Sequence, residues 1–206
     1  KEVVDATYST GSTSTASCFN FSNSLTTNRK DYNSIIMTFF KSTCYEDYLP
    51  YMTKGNDVVL VVNTTNLFGD EAGADDRNLD LFGDWDGGDI KYSFKYDIKE
   101  GTSGTDMIPA IRLSEMYYIM GEYFARTNNF IKAGEMLDEV RFNRGIITTN
   151  LKNTITTLDG YHTEMLKDMR KEFVGEGQLF FQYKRLDKKP AKNAIFVFEK
   201  PDNEDV

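Results

Sequence analysis

His162 is the only histidine in the chain. Any scheme in which an imidazole activates a serine or a cysteine therefore rests on that one residue. No cysteine or recognisable motif lies near it, so the expected role is that of a surface or helix-start histidine. Carboxylates are abundant by contrast, with 32 Asp and Glu against 24 Lys and Arg. Two acids flanking a glycosidic bond would be the chemistry of a glycosidase. Their separation is not written in the sequence, and no stretch carries a hydrolase signature.

One acidic run invites a metal reading. Asp84-Trp85-Asp86-Gly87-Gly88-Asp89 has the first oxygen ligands of a calcium loop at the right spacing. The sixth position, which needs glycine for a sharp turn, is Asp89, and the twelfth is Lys95 where a bidentate glutamate belongs. A solvated acidic turn is the expected reading, with weak ion binding as the alternative. Trp85 is the only tryptophan. An aromatic face suits the apolar side of a pyranose ring, and Asp84 and Asp86 suit its hydroxyls. Trp85, Asp84, Asp86 and, as a second platform, Tyr92 are thus the candidate carbohydrate contacts. The competing expectation is that Trp85 folds inward and pins its own loop.

A different pattern runs through residues 108–185. Arg112, Glu115, Arg141, Arg144, Glu172, Glu176 and Arg185 are interleaved with apolar residues inside stretches of helical periodicity. A surface helix would gather its charges on one face. Charges mixed into apolar surface must be paired to be tolerated. The expected role of these seven residues is a structural ion-pair network where helices meet. Gln178 to Tyr183 reads as core for the same reason.

The elements that position them follow from spacing. A first helix is predicted over 109–126, with Pro109 in its first turn and Leu113, Met116, Tyr117, Met120 and Phe124 as the buried stripe. Gly121 and Ala125 would let a neighbouring helix approach. After the turn Thr127-Asn128-Asn129, a second helix is predicted over 130–144 and closes on Gly145. Such a hairpin resembles one tetratricopeptide-type repeat, which must stack on something to bury its face. A third helix should begin near Asp159 or Tyr161 and break at Gly175-Glu176-Gly177 before a last helical piece. Before residue 107, Ser, Thr, Asn and Gly favour loops over residues 1–34, and residues 35–52 suggest one or two short helices. Asp57–Val62 and Ile90–Tyr96 read as short strands, and residues 63–106 as one long irregular region.

Composition excludes several classes. Net charge is −8 over 206 residues, so the basic footprint of a nucleic-acid-binding surface is missing. An anionic membrane surface is disfavoured likewise. No apolar stretch has membrane-spanning length. Cys18 and Cys44 have no metal-ligand spacing and are as consistent with two thiols as with one disulfide. No cofactor motif is present.

Four motifs in order carry a resemblance. They are Pro109-Ala110-Ile111-Arg112-Leu113-Ser114-Glu115-Met116-Tyr117-Tyr118, Leu137–Gly145, Lys171–Gln178 and Phe180–Arg185, followed by an ending Phe196–Glu204. Together they resemble the C-terminal part of SusD/RagB-type proteins, the glycan-binding surface lipoproteins of Bacteroidetes. The resemblance implies a mainly α fold, SusD-like, with a tetratricopeptide-type hairpin, packed C-terminal helices, long irregular loops and a few short strands. It divides the chain into a loop-rich part over 1–106 and a helical part over 107–206. It implies a noncatalytic protein that captures oligosaccharide or polysaccharide for a SusC-like TonB-dependent transporter, without a cofactor. The expected location is the outer membrane at the cell surface. A lipid anchor would sit on an N-terminal segment outside this chain, which the resemblance reads as the C-terminal portion of a longer protein, with a natural short relative as the alternative. The alternative is a helical-repeat scaffold that makes only protein contacts with the transporter.

Overall fold

The computed structural model describes residues 35–40, 61–84, 90–93 and 107–188. Six helices and five strands lie within them. The strands are β1 (Ile35–Phe40), β2 (Val61–Asn63), β3 (Phe82–Asp84), β4 (Ile90–Ser93) and β5 (Met107–Arg112). The helices are α1 (Thr64–Phe68), α2 (Asp76–Leu81), α3 (Leu113–Arg126), α4 (Phe130–Phe142), α5 (Leu158–Glu172) and α6 (Gln178–Arg185). The fold is mainly α.

Three expectations are corrected. The run Ile35-Ile36-Met37-Thr38-Phe39-Phe40 is a strand, not a helix, and pairs antiparallel with β5. Its β-branched and aromatic residues suit a pleated ladder once a partner strand is present. Pro109 lies in β5 opposite Thr38, so the first long helix begins four residues later, at Leu113. A proline is tolerated there because, among the described residues, β5 pairs on one side only. The region after residue 63 is not one irregular loop. It holds α1, a 3-10 turn over Gly69–Glu71, α2 and β3, and the order β2-β4-β3 makes a small antiparallel sheet. Both helices there have sequence-encoded starts. Asn63 caps α1 by accepting from the Asn66 N–H at 2.9 Å, and Asp75 caps α2 by accepting from the Arg77 N–H at 3.1 Å.

Helices α3 and α4 form the hairpin, and α5 packs across both. Leu113, Tyr117 and Met120 of α3, Leu137 and Val140 of α4, and Tyr161, Met165 and Met169 of α5 make the main core. The approach over Gly121 is close. A Cβ there would stand 2.2 Å from the Tyr161 hydroxyl, so only glycine fits. A second, smaller core gathers Val62, Leu67, Phe68, Leu81 and Phe82 around Val174. The chain crosses from one core to the other between Phe173 and Val174, just after α5 ends.

Left-handed Gly175 and Gly177, with φ of 78° and 75°, turn the chain into α6. That helix does not form core. None of its residues is buried, and Phe180 and Phe181 are 68% and 69% exposed. It is only eight residues long and leans on the bundle through Leu179 and Leu186, which are partly buried.

Candidate functional site

The charged residues that interrupt the helical pattern are placed with partners. Arg144, just beyond α4, donates to both carboxylate oxygens of Glu172 in α5, at 2.7 and 3.0 Å. The same carboxylate accepts from Arg77 Nη1 at 3.2 Å. Arg77 lies in α2, is 1% exposed, and also binds Asp75 through Nε and Nη2 at 2.8 Å and Asp168 at 2.8 Å. Tyr118 of α3 donates to the other oxygen of Asp168 at 2.5 Å, and Tyr161 donates to the Tyr118 carbonyl at 2.7 Å. Lys171 and Arg141 both reach Glu71, and Lys171 is 3.6 Å from Asp75.

Four cations, Arg77, Arg141, Arg144 and Lys171, therefore face four carboxylates, Glu71, Asp75, Asp168 and Glu172. Burial would drive the carboxylates neutral, but the guanidiniums win. Beside Arg144 and Arg77, Glu172 is held well below the usual carboxylate range, and Asp168 beside Arg77 is lowered too. The cluster ties α2, α4 and α5 together around charges that are fully compensated.

Arg112 and Glu176 pair next to it at 2.9 Å, and both side chains are buried. Arg112 adds to the positive field on Glu172. Glu115 starts α3 by accepting from the Arg112 N–H at 3.1 Å, and Gln178 of α6 donates to the same oxygen at 3.3 Å. Burial raises the Glu115 carboxyl above its ordinary range in spite of these bonds.

Arg185 stands apart from that junction. It grips Glu122 of α3 with two bonds of 2.8 Å, and Arg126 holds the same carboxylate at 2.7 and 2.9 Å. Burial pushes the Glu122 pKa up, but Arg185 and Arg126 bring it down to about 2. His162 is not on the surface. It is buried, with Nε2 3.4 Å from Glu122 Oε1. Burial outweighs the attraction of Glu122 and lowers its pKa.

Glu122, Arg126 and Arg185 border a groove of about 490 Å3 between α3, α5 and α6. The buried Tyr118, Met165 and Met169 line it, together with the exposed Ile119 and Tyr123 and the polar Glu115, Glu122, Arg126, Gln182 and Arg185.

Sequence reasoning missed Glu71, Asp75, Arg77, Glu122, Asp168 and Lys171. A signal was present for Asp168 and Glu172, which are four apart and adjoin the apolar stripe Met165, Met169, Phe173. Carboxylates at that position require buried partners. No signal pointed to Arg77, because the stretch around it lacked visible periodicity.

Of the candidate sugar contacts, Asp84 ends β3 opposite Lys91 and Tyr92 lies in β4 opposite Gly83. Their backbones are thus one register step apart on paired strands. Trp85 and Asp86 lie outside the described residues, as do Cys18 and Cys44. Among the described residues, no cluster of three or more His, Cys, Asp or Glu is arranged to hold a metal ion. No helix among them is long and apolar enough to cross a membrane.

A family model described as the SusD family matches residues 21–202. A SusD superfamily protein of known structure from Bacteroides fragilis is similar over 82% of this chain and 44% of its own, at 14% identity and a TM-score of 0.54. A Bacteroides vulgatus protein of known structure, described as sugar-binding, is similar over 62% of this chain and 28% of its own, at 26% identity and a TM-score of 0.48. The chain thus spans less than half the length of either structure. No curated protein matches the sequence.

Proposed function

This chain belongs to the SusD family, and on that premise we propose that it is a noncatalytic carbohydrate-binding part of an outer-membrane glycan uptake system. It captures oligosaccharide or polysaccharide at the cell surface and passes it to a SusC-like TonB-dependent transporter. The observation that carries the reading is the family match across residues 21–202. The fold shared with a longer SusD superfamily structure supports it. Net charge of −8 is compatible with a neutral sugar ligand. On this reading the chain works as the C-terminal portion of a longer protein, and a lipid anchor on the N-terminal portion holds the whole at the membrane.

The sugar platform assigned by sequence remains part of the proposal: Trp85 as stacking face, Asp84 and Asp86 as hydroxyl acceptors, Tyr92 as second ring.

A second reading has its own observation. Ile131, Phe142 and Ile147 are well exposed along α4 and just after it. Apolar side chains on the outer face of a helical hairpin suit stacking against another protein surface, as in a scaffold.

Pull-down on a panel of insoluble polysaccharides, with reducing ends counted in the supernatant, tests these readings. Retention on at least one polysaccharide without new reducing ends is the expected result. No retention on any would favour the scaffold, and sugar release would overturn the noncatalytic assignment.

A further inference from the structure

Glu115, Ile119, Glu122, Tyr123 and Arg126 fall at i, i+4, i+7, i+8 and i+11, which is one face of α3. That face borders the groove over Met165 and Met169. Tyr123 is 58% exposed, although tyrosine is a residue with much apolar surface to hide. The polar groups around it are fixed yet not used up. Arg126 spends Nε and one Nη on Glu122. Gln182 accepts from Arg185 through Oε1, at 2.8 and 3.1 Å, which leaves its amide N–H groups unspent among the described residues. Both Glu115 bonds fall on Oε1, so Oε2 is open as an acceptor.

The bidentate Arg185–Glu122 pair holds these groups in place before any ligand arrives. Donors, an acceptor and an aromatic face therefore converge on one open concavity. The charges balance, with Glu115 and Glu122 against Arg126 and Arg185. A neutral ligand fits that balance. A docked helix fits less well, because its apolar stripe would seal the Gln182 amide and Glu115 Oε2 away from any partner.

We propose that this groove is a binding subsite for a neutral oligosaccharide, with Tyr123 as the stacking platform and Gln182, Arg126 and Glu115 bonding the hydroxyls. The assignment rests on the glycan-binding reading above and adds a contact surface away from residues 84–92. The whole chain can be run in native gels containing soluble neutral polysaccharides: starch, xylan, galactomannan and mixed-linkage β-glucan. Tyr123→Ala should weaken retardation about tenfold, and Gln182→Ala several-fold. The melting temperature of Tyr123→Ala should stay within about 2 °C of wild type, because that ring is exposed. A retarded wild type with an equally retarded Tyr123→Ala overturns the groove assignment and leaves the family reading standing. An unretarded wild type overturns both. Self-association that Tyr123→Ala abolishes, with retardation intact, would show a protein surface in the groove and also overturn the assignment.

Discussion

Glu172 accepts two hydrogen bonds from Arg144, at 2.7 and 3.0 Å, with both side chains only 2% exposed. Arg77 approaches the same carboxylate from α2 at 3.2 Å. One buried anion thus joins the end of the α3–α4 hairpin, the last turn of α5 and the small α1–α2 segment. Removing it leaves two buried guanidiniums short of a partner. Glu172→Ala should cost roughly 3–5 kcal/mol, read as a fall in the urea midpoint. A midpoint indistinguishable from wild type would refute the buried pair.

Arg112 and Glu176 make a smaller version of the same arrangement between β5 and the loop before α6. Glu176→Ala should also cost roughly 3–5 kcal/mol. A melting temperature within a degree or two of wild type would show that this pair contributes nothing.

Stability should fall with acid. The Glu122 pKa is about 2 in the folded chain against an ordinary value of 4.5, and Glu172 and Asp168 are lowered as well. A depressed carboxylate pKa contributes stability that is complete above the unfolded value and is lost as pH falls through the folded one. His162, also lowered from 6.5, adds to the loss because the unfolded chain takes up its proton first. Glu115 acts in the opposite direction, since its raised pKa favours the folded state at low pH. The three carboxylates outnumber it. The melting temperature should decline below about pH 6 and steeply between pH 4.5 and 2. In Glu122→Gln that acid decline should be shallower. Parallel curves for the variant and wild type would contradict the assignment.

Gly145 is needed for two reasons at once. Its φ is +86°, and a Cβ would stand 2.6 Å from the Ala74 carbonyl. The close approach lets the Arg144 carbonyl accept from the Asp76 N–H at 2.9 Å, which fixes α2 against the hairpin. Gly145→Ala should cost about 1–3 kcal/mol, measured by thermal melt, whereas the same change at open Gly73 should cost far less.

The helical half was legible because its signal is periodic. Leu113, Tyr117 and Met120 repeat at helical spacing and are buried, and Gly145 and the Gly175–Gly177 break stand where chain geometry demands them. What failed to show was anything set by distant partners. Ile35–Phe40 became a strand because Met107–Arg112 lies beside it, and Pro109 was drawn into that ladder. Arg77 gave no local hint of burial, since two of its three carboxylates, Asp168 and Glu172, lie 91 and 95 positions away. Phe180 and Phe181 looked like core from their type alone, yet a short helix on a glycine turn leaves them in solvent. The groove was hidden for the same reason, because α3 and α6 are joined by the long-range pairs Glu122–Arg185 and Glu115–Gln178.

Exposure sets the cost of aromatic truncation. Phe173 is 1% exposed and packs edge-on to Tyr118 at 6.0 Å between ring centres. Phe173→Ala should cost roughly 3–5 kcal/mol. Phe181→Ala should stay within about 0.5 kcal/mol of wild type. Equal costs for the two would mean that α6 is packed in solution.

The central claim is capture of a sugar without its cleavage. Calorimetric titration of the chain with a soluble oligosaccharide cut from whichever polysaccharide retains it tests this most directly. The account predicts saturable heat, with the oligosaccharide recovered at its original length. Heats no larger than dilution, or recovery of shortened sugar, would contradict it.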